Sequence, residues 1–129
     1  MVRVYDEQTR QLKQELTGGV NGEPGHTNRI FCVKYYPEDP NMIVSGGWDK
    51  SIKIWDTRTP DPVRSIQGPY ICGDAIDIQE GLILTGSHTM NDQLRLWDFG
   101  SGELVEQIQY TAALNSEKDC TLYCAQLEK

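Results

Sequence analysis

The stretch Ile43-Val44-Ser45-Gly46-Gly47-Trp48-Asp49-Lys50-Ser51-Ile52-Lys53-Ile54-Trp55-Asp56 decides the fold. It closes on aliphatic, basic, aliphatic, aromatic, aspartate, and the same order recurs as Val2-Arg3-Val4-Tyr5-Asp6 and Leu94-Arg95-Leu96-Trp97-Asp98. The two Trp copies lie 42 residues apart, and Tyr5 precedes Trp55 by 50, an excess that the Gly-rich stretch from Gly18 to Gly25 absorbs. A second register agrees, since Ile30-Phe31-Cys32, Tyr70-Ile71-Cys72 and Leu122-Tyr123-Cys124 place three of the four cysteines at one repeat position. A fixed period of this size marks a repeat architecture.

Each unit divides into four short apolar stretches separated by turn residues, the pattern of an all-β chain with short, regular strands. The first complete unit predicts strands over 30–35, 42–45, 51–55 and 63–66, and the next over 71–78, 82–86, 93–97 and 104–108. Between them lie turn segments such as 37–41, 47–50 and 57–62, rich in Pro, Gly, Asp and Asn, which supply special backbone angles. Apolar residues take both parities in 30–35, so both faces of that sheet must be covered, as in the stacked blades of a β-propeller. A helix is a poor alternative, because β-branched and aromatic residues dominate and Pro or Gly recurs every few positions.

The chain has 129 residues, of which 38% are hydrophobic and 24% charged, an ordinary globular profile. With 12 Lys+Arg against 19 Asp+Glu the net charge is −7, which argues against direct nucleic-acid binding. No apolar run approaches the roughly 20 residues that a membrane-spanning helix needs. The N-terminal Met1-Val2-Arg3-Val4-Tyr5-Asp6 lacks the layout of a secretory signal, so an intracellular, cytoplasmic or nuclear, reducing setting is expected, with cysteines as thiols.

At these residues the sequence resembles the WD-repeat β-propeller family. Gly25-His26 opens and Trp55-Asp56 closes the central repeat, as the dipeptides characteristic of that family do. The resemblance implies a structural hydrogen-bond chain through Trp55, Ser45, His26 and Asp49: indole donor, hydroxyl, imidazole and carboxylate acceptor in order. The third unit departs from the pattern, with Gly68-Pro69 where Gly-His is expected and a turn two residues longer after Thr85. There Asn91 or Asp92 could fill the acidic position. The expected organisation is a half blade and loop over 1–24, a complete blade over 25–67, a complete but degenerate blade over 68–110, and the start of another over 111–129. Counting a strand at 121–127, this gives eleven strands, an incomplete ring whose open edges predict completion by further blades or by self-association.

Few residues offer chemistry. Cys120 and Cys124 have a tolerable metal-ligand spacing, but Cys32 and Cys72 fall in other units and no His pair accompanies them, which favours small buried thiols. No nucleophile, base and orienter assemble from two histidines, and no phosphate loop is present, so neither catalysis nor a cofactor is expected. The resemblance implies a non-catalytic protein-interaction scaffold. Trp48, in a turn of the central unit, either projects from the rim as an interface anchor or lies flat on a neighbouring turn. His88 and Met90 occupy the matching turn of the next unit as weaker candidates. Trp55-Asp56-Thr57-Arg58 also looks like the motif by which some WD-repeat proteins dock on the adaptor of cullin-RING ubiquitin ligases, which makes a ligase substrate receptor the alternative. The competing reading of Arg58 is a surface ion pair with Asp56.

Overall fold

The computed structural model describes residues 1–109 and 121–128. Ten strands and no helix are found among them: β1 (Val2–Tyr5), β2 (Leu12–Leu16), β3 (Ile30–Tyr36), β4 (Asp39–Gly47), β5 (Ser51–Asp56), β6 (Pro62–Gln67), β7 (Ile76–Gln79), β8 (Leu82–Gly86), β9 (Leu94–Asp98) and β10 (Leu104–Ile108). They form a two-stranded sheet, β1-β2, and two four-stranded antiparallel meanders, β3-β4-β5-β6 and β7-β8-β9-β10. The fold is therefore all-β, built of propeller blades in an incomplete ring. No helix among the described residues is long and apolar enough to cross a membrane.

Strand β5 shows why both parities are apolar. Ser51, Ile52, Lys53, Ile54 and Trp55 are all buried, since the strand has neighbours on both edges and sheets on both faces. Ile52 and Ile54, with Val44, face the third sheet and meet Ile76, Ile78 and Ile83. Trp55 and Ile43 face the first sheet and pack on Val2 and Leu16. Burying side chains of this size stabilises by about 1.5–3 kcal/mol each, so the two inter-sheet layers hold the blades together.

Three expected elements differ. Strand β4 begins at Asp39, which leaves only Pro37 and Glu38 in the turn, and the register shifts between Tyr35 and Tyr36 to admit the change. The first strand of the third sheet begins at Ile76 rather than 71, because the preceding segment crosses between sheets: Ile71 N–H donates to Gly47 O, and Gly86 N–H to Ala75 O. Residues 121–127 do not form a strand. They lie along β7 through Ala125 N–H to Asp74 O (3.3 Å) and Leu127 N–H to the Asp77 carboxylate (2.9 Å), with no ladder partner among the described residues. Part of the unit over 111–129 lies outside the described residues. The thiols differ too: Cys32 is buried on β3, Cys72 is buried outside any strand, and Cys124 is exposed.

One comparison inside the molecule shows how covering by a neighbour decides exposure. Val33 and Tyr35 pair with Ser45 and Ile43, just as Ile76 and Ile78 pair with Thr85 and Ile83. Ile76 and Ile78 are 0% and 5% exposed against the second sheet, whereas Val33 and Tyr35, facing a first sheet of only two strands, are 45% and 55% exposed. Strand β1 likewise pairs on one edge, while its counterparts β5 and β9 pair on both.

Candidate functional site

His26 is set in place by the loop before it. Gly18 bridges to Pro24, Gly18 N–H donates to Pro60 O, and the Asp61 carboxylate accepts the Val20 and Asn21 N–H groups at 2.8 and 2.7 Å. Gly25 must be glycine, since a Cβ there would sit 1.9 Å from the Thr17 carbonyl oxygen. The imidazole then lies between two partners: Nδ1 is 2.8 Å from Asp49 Oδ2, and Nε2 is 2.7 Å from Ser45 Oγ. Trp55 Nε1–H donates to the same hydroxyl at 2.8 Å. With the indole occupying one lone pair, Ser45 donates its proton to Nε2, and Nδ1–H donates to the carboxylate, which also accepts Thr27 N–H at 3.1 Å.

Burial pulls the His26 imidazole below its ordinary value, against the opposing pull of Asp49. Geometry gives the same direction, because a protonated ring would donate at Nε2 and leave the Ser45 proton without its acceptor. For Asp49, burial acts upward, but the hydrogen bond and charge of His26 and the Thr27 N–H bring the carboxyl below its usual range. Both groups bind protons more readily in the unfolded chain, so both contribute stability at neutral pH that is lost on acidification. The midpoint of thermal unfolding is therefore expected to fall as pH drops from 7.5 through about 6.5 and again below about 4. His26→Gln should flatten the upper step, and an unchanged profile in that variant would contradict this assignment.

The third sheet reaches a different solution. Trp97 Nε1–H donates to Thr85 Oγ1 at 2.9 Å, but no imidazole stands beyond it. Instead the Arg95 guanidinium lies 5.8 Å from the Trp97 ring centroid and binds Asp92 at 2.6 Å, while a Cβ on Gly68 would lie 3.1 Å from its Nη1. Arginine thus joins tryptophan and carboxylate where the second sheet uses histidine. The legible signal was Gly68-Pro69 in place of Gly-His combined with Arg95, which pairs with Thr85 as Lys53 pairs with Ser45.

Trp48 does not project freely. Its ring is part-buried, packed at a tilt of 30° on Phe31 with centroids 4.9 Å apart, and carries the Arg29 guanidinium 5.4 Å from its own centroid. Its Nε1 is buried without an acceptor, so aromatic packing rather than hydrogen bonding holds it. Arg29 and Phe31 are the residues that sequence reasoning missed. The lysine beside the structural chain, Lys53, is buried, donating to Ser65 Oγ at 2.7 Å. Arg58 forms a two-point pair with Asp56 (Nε to Oδ1 2.8 Å, Nη2 to Oδ2 2.6 Å) and its own N–H also reaches that carboxylate. His88 is part-buried, 3.4 Å from Thr121 Oγ1 and edge-on to Tyr123, and Met90 is exposed. The structure therefore brings His26, Ser45, Asp49 and Trp55 together and keeps Arg58, His88 and Met90 apart from them. Among the described residues, no three His, Cys, Asp or Glu side chains are grouped to hold a metal.

Residues 16–56 match the family described as WD domain, G-beta repeat. A small ribosomal subunit protein RACK1y of Oryza sativa subsp. japonica is 25% identical over 107 residues, covering 82% of this chain and 32% of the relative. The nuclear distribution protein PAC1 of Komagataella phaffii is 38% identical over 66 residues, 51% of this chain and 12% of the relative. A crystal structure of the mitotic checkpoint complex contains a chain that superimposes with a TM-score of 0.54 at 27% identity, over 64% of this chain and 26% of that one. Residues 16–56 thus carry a WD repeat, and the chain as a whole is similar to WD-repeat proteins. It spans about a third or less of the length of these curated relatives.

Proposed function

We propose that the chain is a non-catalytic protein-interaction scaffold of the cytoplasm or nucleus whose binding face is the β4–β5 rim. The observation that carries this reading is the coupling of a locked backbone to an accessible aromatic cluster. Asp49 is held by His26 and Thr27, and Trp48 N–H donates to Arg29 O at 2.9 Å, so the hairpin that presents Trp48 and Phe31 is ordered before any partner arrives. A surface whose entropy is already spent binds more tightly for the same contacts. His26, the histidine nearest this rim, is buried and engaged at both nitrogens, which leaves it no role as a general base toward a substrate. The exposed Val33 and Tyr35 support association with further blades or a second copy.

The ligase reading gains no support, because the Arg58 guanidinium is engaged by Asp56. Affinity capture with wild-type and Trp48→Ala chains side by side tests the proposal. Proteins retained by the wild type are expected to bind the variant at least about tenfold more weakly, roughly 1.4 kcal/mol. Because Trp48 packs on Phe31, the variant is also expected to lose about 1–2 kcal/mol of stability, and binding is to be compared at a temperature where both are folded. Partners that bind both forms equally would place the interaction elsewhere.

A further inference from the structure

We propose that the β4–β5 rim binds an acidic peptide segment, with Arg29 and Lys50 taking carboxylates and the Phe31–Trp48 pair taking an intervening apolar side chain. The inference rests on the reading of this rim as the partner face and adds the chemistry of what it binds.

The chain is acidic, with a net charge of −7, and five of its cations are neutralised locally. Arg3, Lys13, Lys34, Arg58 and Arg95 each hold a carboxylate at 2.6–2.9 Å. Arg29 and Lys50 are exposed, and among the described residues neither has a carboxylate within 4.0 Å. They flank Trp48 in chain order at one tip, since Gly47 pairs with Ile30 and Trp48 N–H is bonded to Arg29 O. Asp49, in the same turn, does not neutralise them: its side chain is 5% exposed and turned inward onto His26 and Thr27 N–H.

The Arg29 guanidinium carbon lies 5.4 Å from the Trp48 ring centroid, within cation–π reach, and no carboxylate among the described residues takes up its N–H groups. A guanidinium without a carboxylate partner is suited to two-point recognition of one, and its contact with the ring restricts the flexible stem. Phe31, 39% exposed beside Trp48, supplies an apolar floor of the kind that anchors interfaces. Lys50, in the left-handed conformation with φ 58° and its own carbonyl bonded by Gly68 N–H, has a fixed starting point from which to project. Arg10, on the β1–β2 turn, also lacks a carboxylate partner, but no ring lies under its guanidinium among the described residues. It provides the internal control.

The test measures fluorescence anisotropy of labelled decapeptides, each carrying two Asp or Glu residues around a Leu or Phe, on the full chain. A matched set has Asn or Gln in place of the acids. The acidic set is expected to bind at least tenfold more tightly, to weaken several-fold between 50 and 300 mM salt, and to lose at least fivefold on Arg29→Gln, less on Lys50→Gln, and nothing on Arg10→Gln. Equal binding of the two sets, or equal losses at Arg10 and Arg29, overturns the proposal, as does a single-stranded oligonucleotide that outcompetes the acidic set. Peptides lost on Trp48→Ala but indifferent to their own carboxylates and to Arg29→Gln overturn the acidic preference while the rim reading stands. Peptides that bind wild type and Trp48→Ala alike overturn both.

Discussion

Ser45→Ala is expected to destabilise the protein by about 2–4 kcal/mol, whereas Thr85→Val, at the matching position of the third sheet, is expected to cost about 1–2 kcal/mol. Ser45 Oγ is the hinge of the buried chain, accepting from Trp55 Nε1 at 2.8 Å and meeting His26 Nε2 at 2.7 Å. Its removal orphans two polar groups in a region where Trp55 is 0% exposed and the His26 side chain equally so. An unsatisfied buried group costs about 1–3 kcal/mol, more than the net gain of an ordinary hydrogen bond. Thr85 accepts from the Trp97 indole and donates only at 3.5 Å to the Arg95 carbonyl oxygen, and Val keeps its volume, so one buried donor is orphaned. Urea unfolding of the two variants at pH 7.5 reads the difference. Equal losses would mean that the imidazole contributes nothing through Ser45.

The second large effect is expected at Gly47, where alanine should cost about 3 kcal/mol or more. A Cβ on Gly47 would lie 2.0 Å from the Arg29 carbonyl oxygen and 3.0 Å from the Ile30 α-carbon. Those atoms are backbone, paired in register with Gly47 itself, so no side chain can rotate out of the way. Relief would have to open the β3–β4 ladder at the point where Trp48 N–H meets Arg29 O. Gly22→Ala is the matched control, because nothing lies within 4 Å of its added Cβ, and a change within about 0.5 kcal/mol is expected there. If Gly47→Ala unfolds at the same urea concentration as the wild type, β3 and β4 are not held as closely as the geometry describes. If it folds but loses its ligands, the rim depends on that close approach.

Much of the architecture was legible because it is local. The recurrence of aliphatic-basic-aliphatic-aromatic-Asp located β1, β5 and β9, and the resemblance to the WD-repeat family pointed to Ser45, Asp49 and Trp55 along one hairpin and its strands. The expected strand over 121–127 does not form, since its apolar pattern matches an innermost strand but a ladder needs a neighbour, and none of the described residues supplies one. Strand β4 ran longer than the Pro-rich turn suggested. Pro40 has no N–H, yet the register shift next to Tyr36 lets the chain around it stay extended.

The sequence by itself determined the strand period and the antiparallel blade, because each depends on spacing along the chain, while its resemblance to the WD-repeat family implied the order of donors and acceptors through Trp55, Ser45, His26 and Asp49. Only the tertiary structure decided which surfaces those strands cover. It placed Arg95 over Trp97 where the third sheet lacks histidine, laid Trp48 between Arg29 and Phe31, closed Arg58 onto Asp56, and left Val33 and Tyr35 uncovered while burying Ile76 and Ile78. These outcomes turn on through-space distances, sheet against sheet and side chain against side chain. A β-strand pattern specifies which face a residue points to, but not what stands opposite that face.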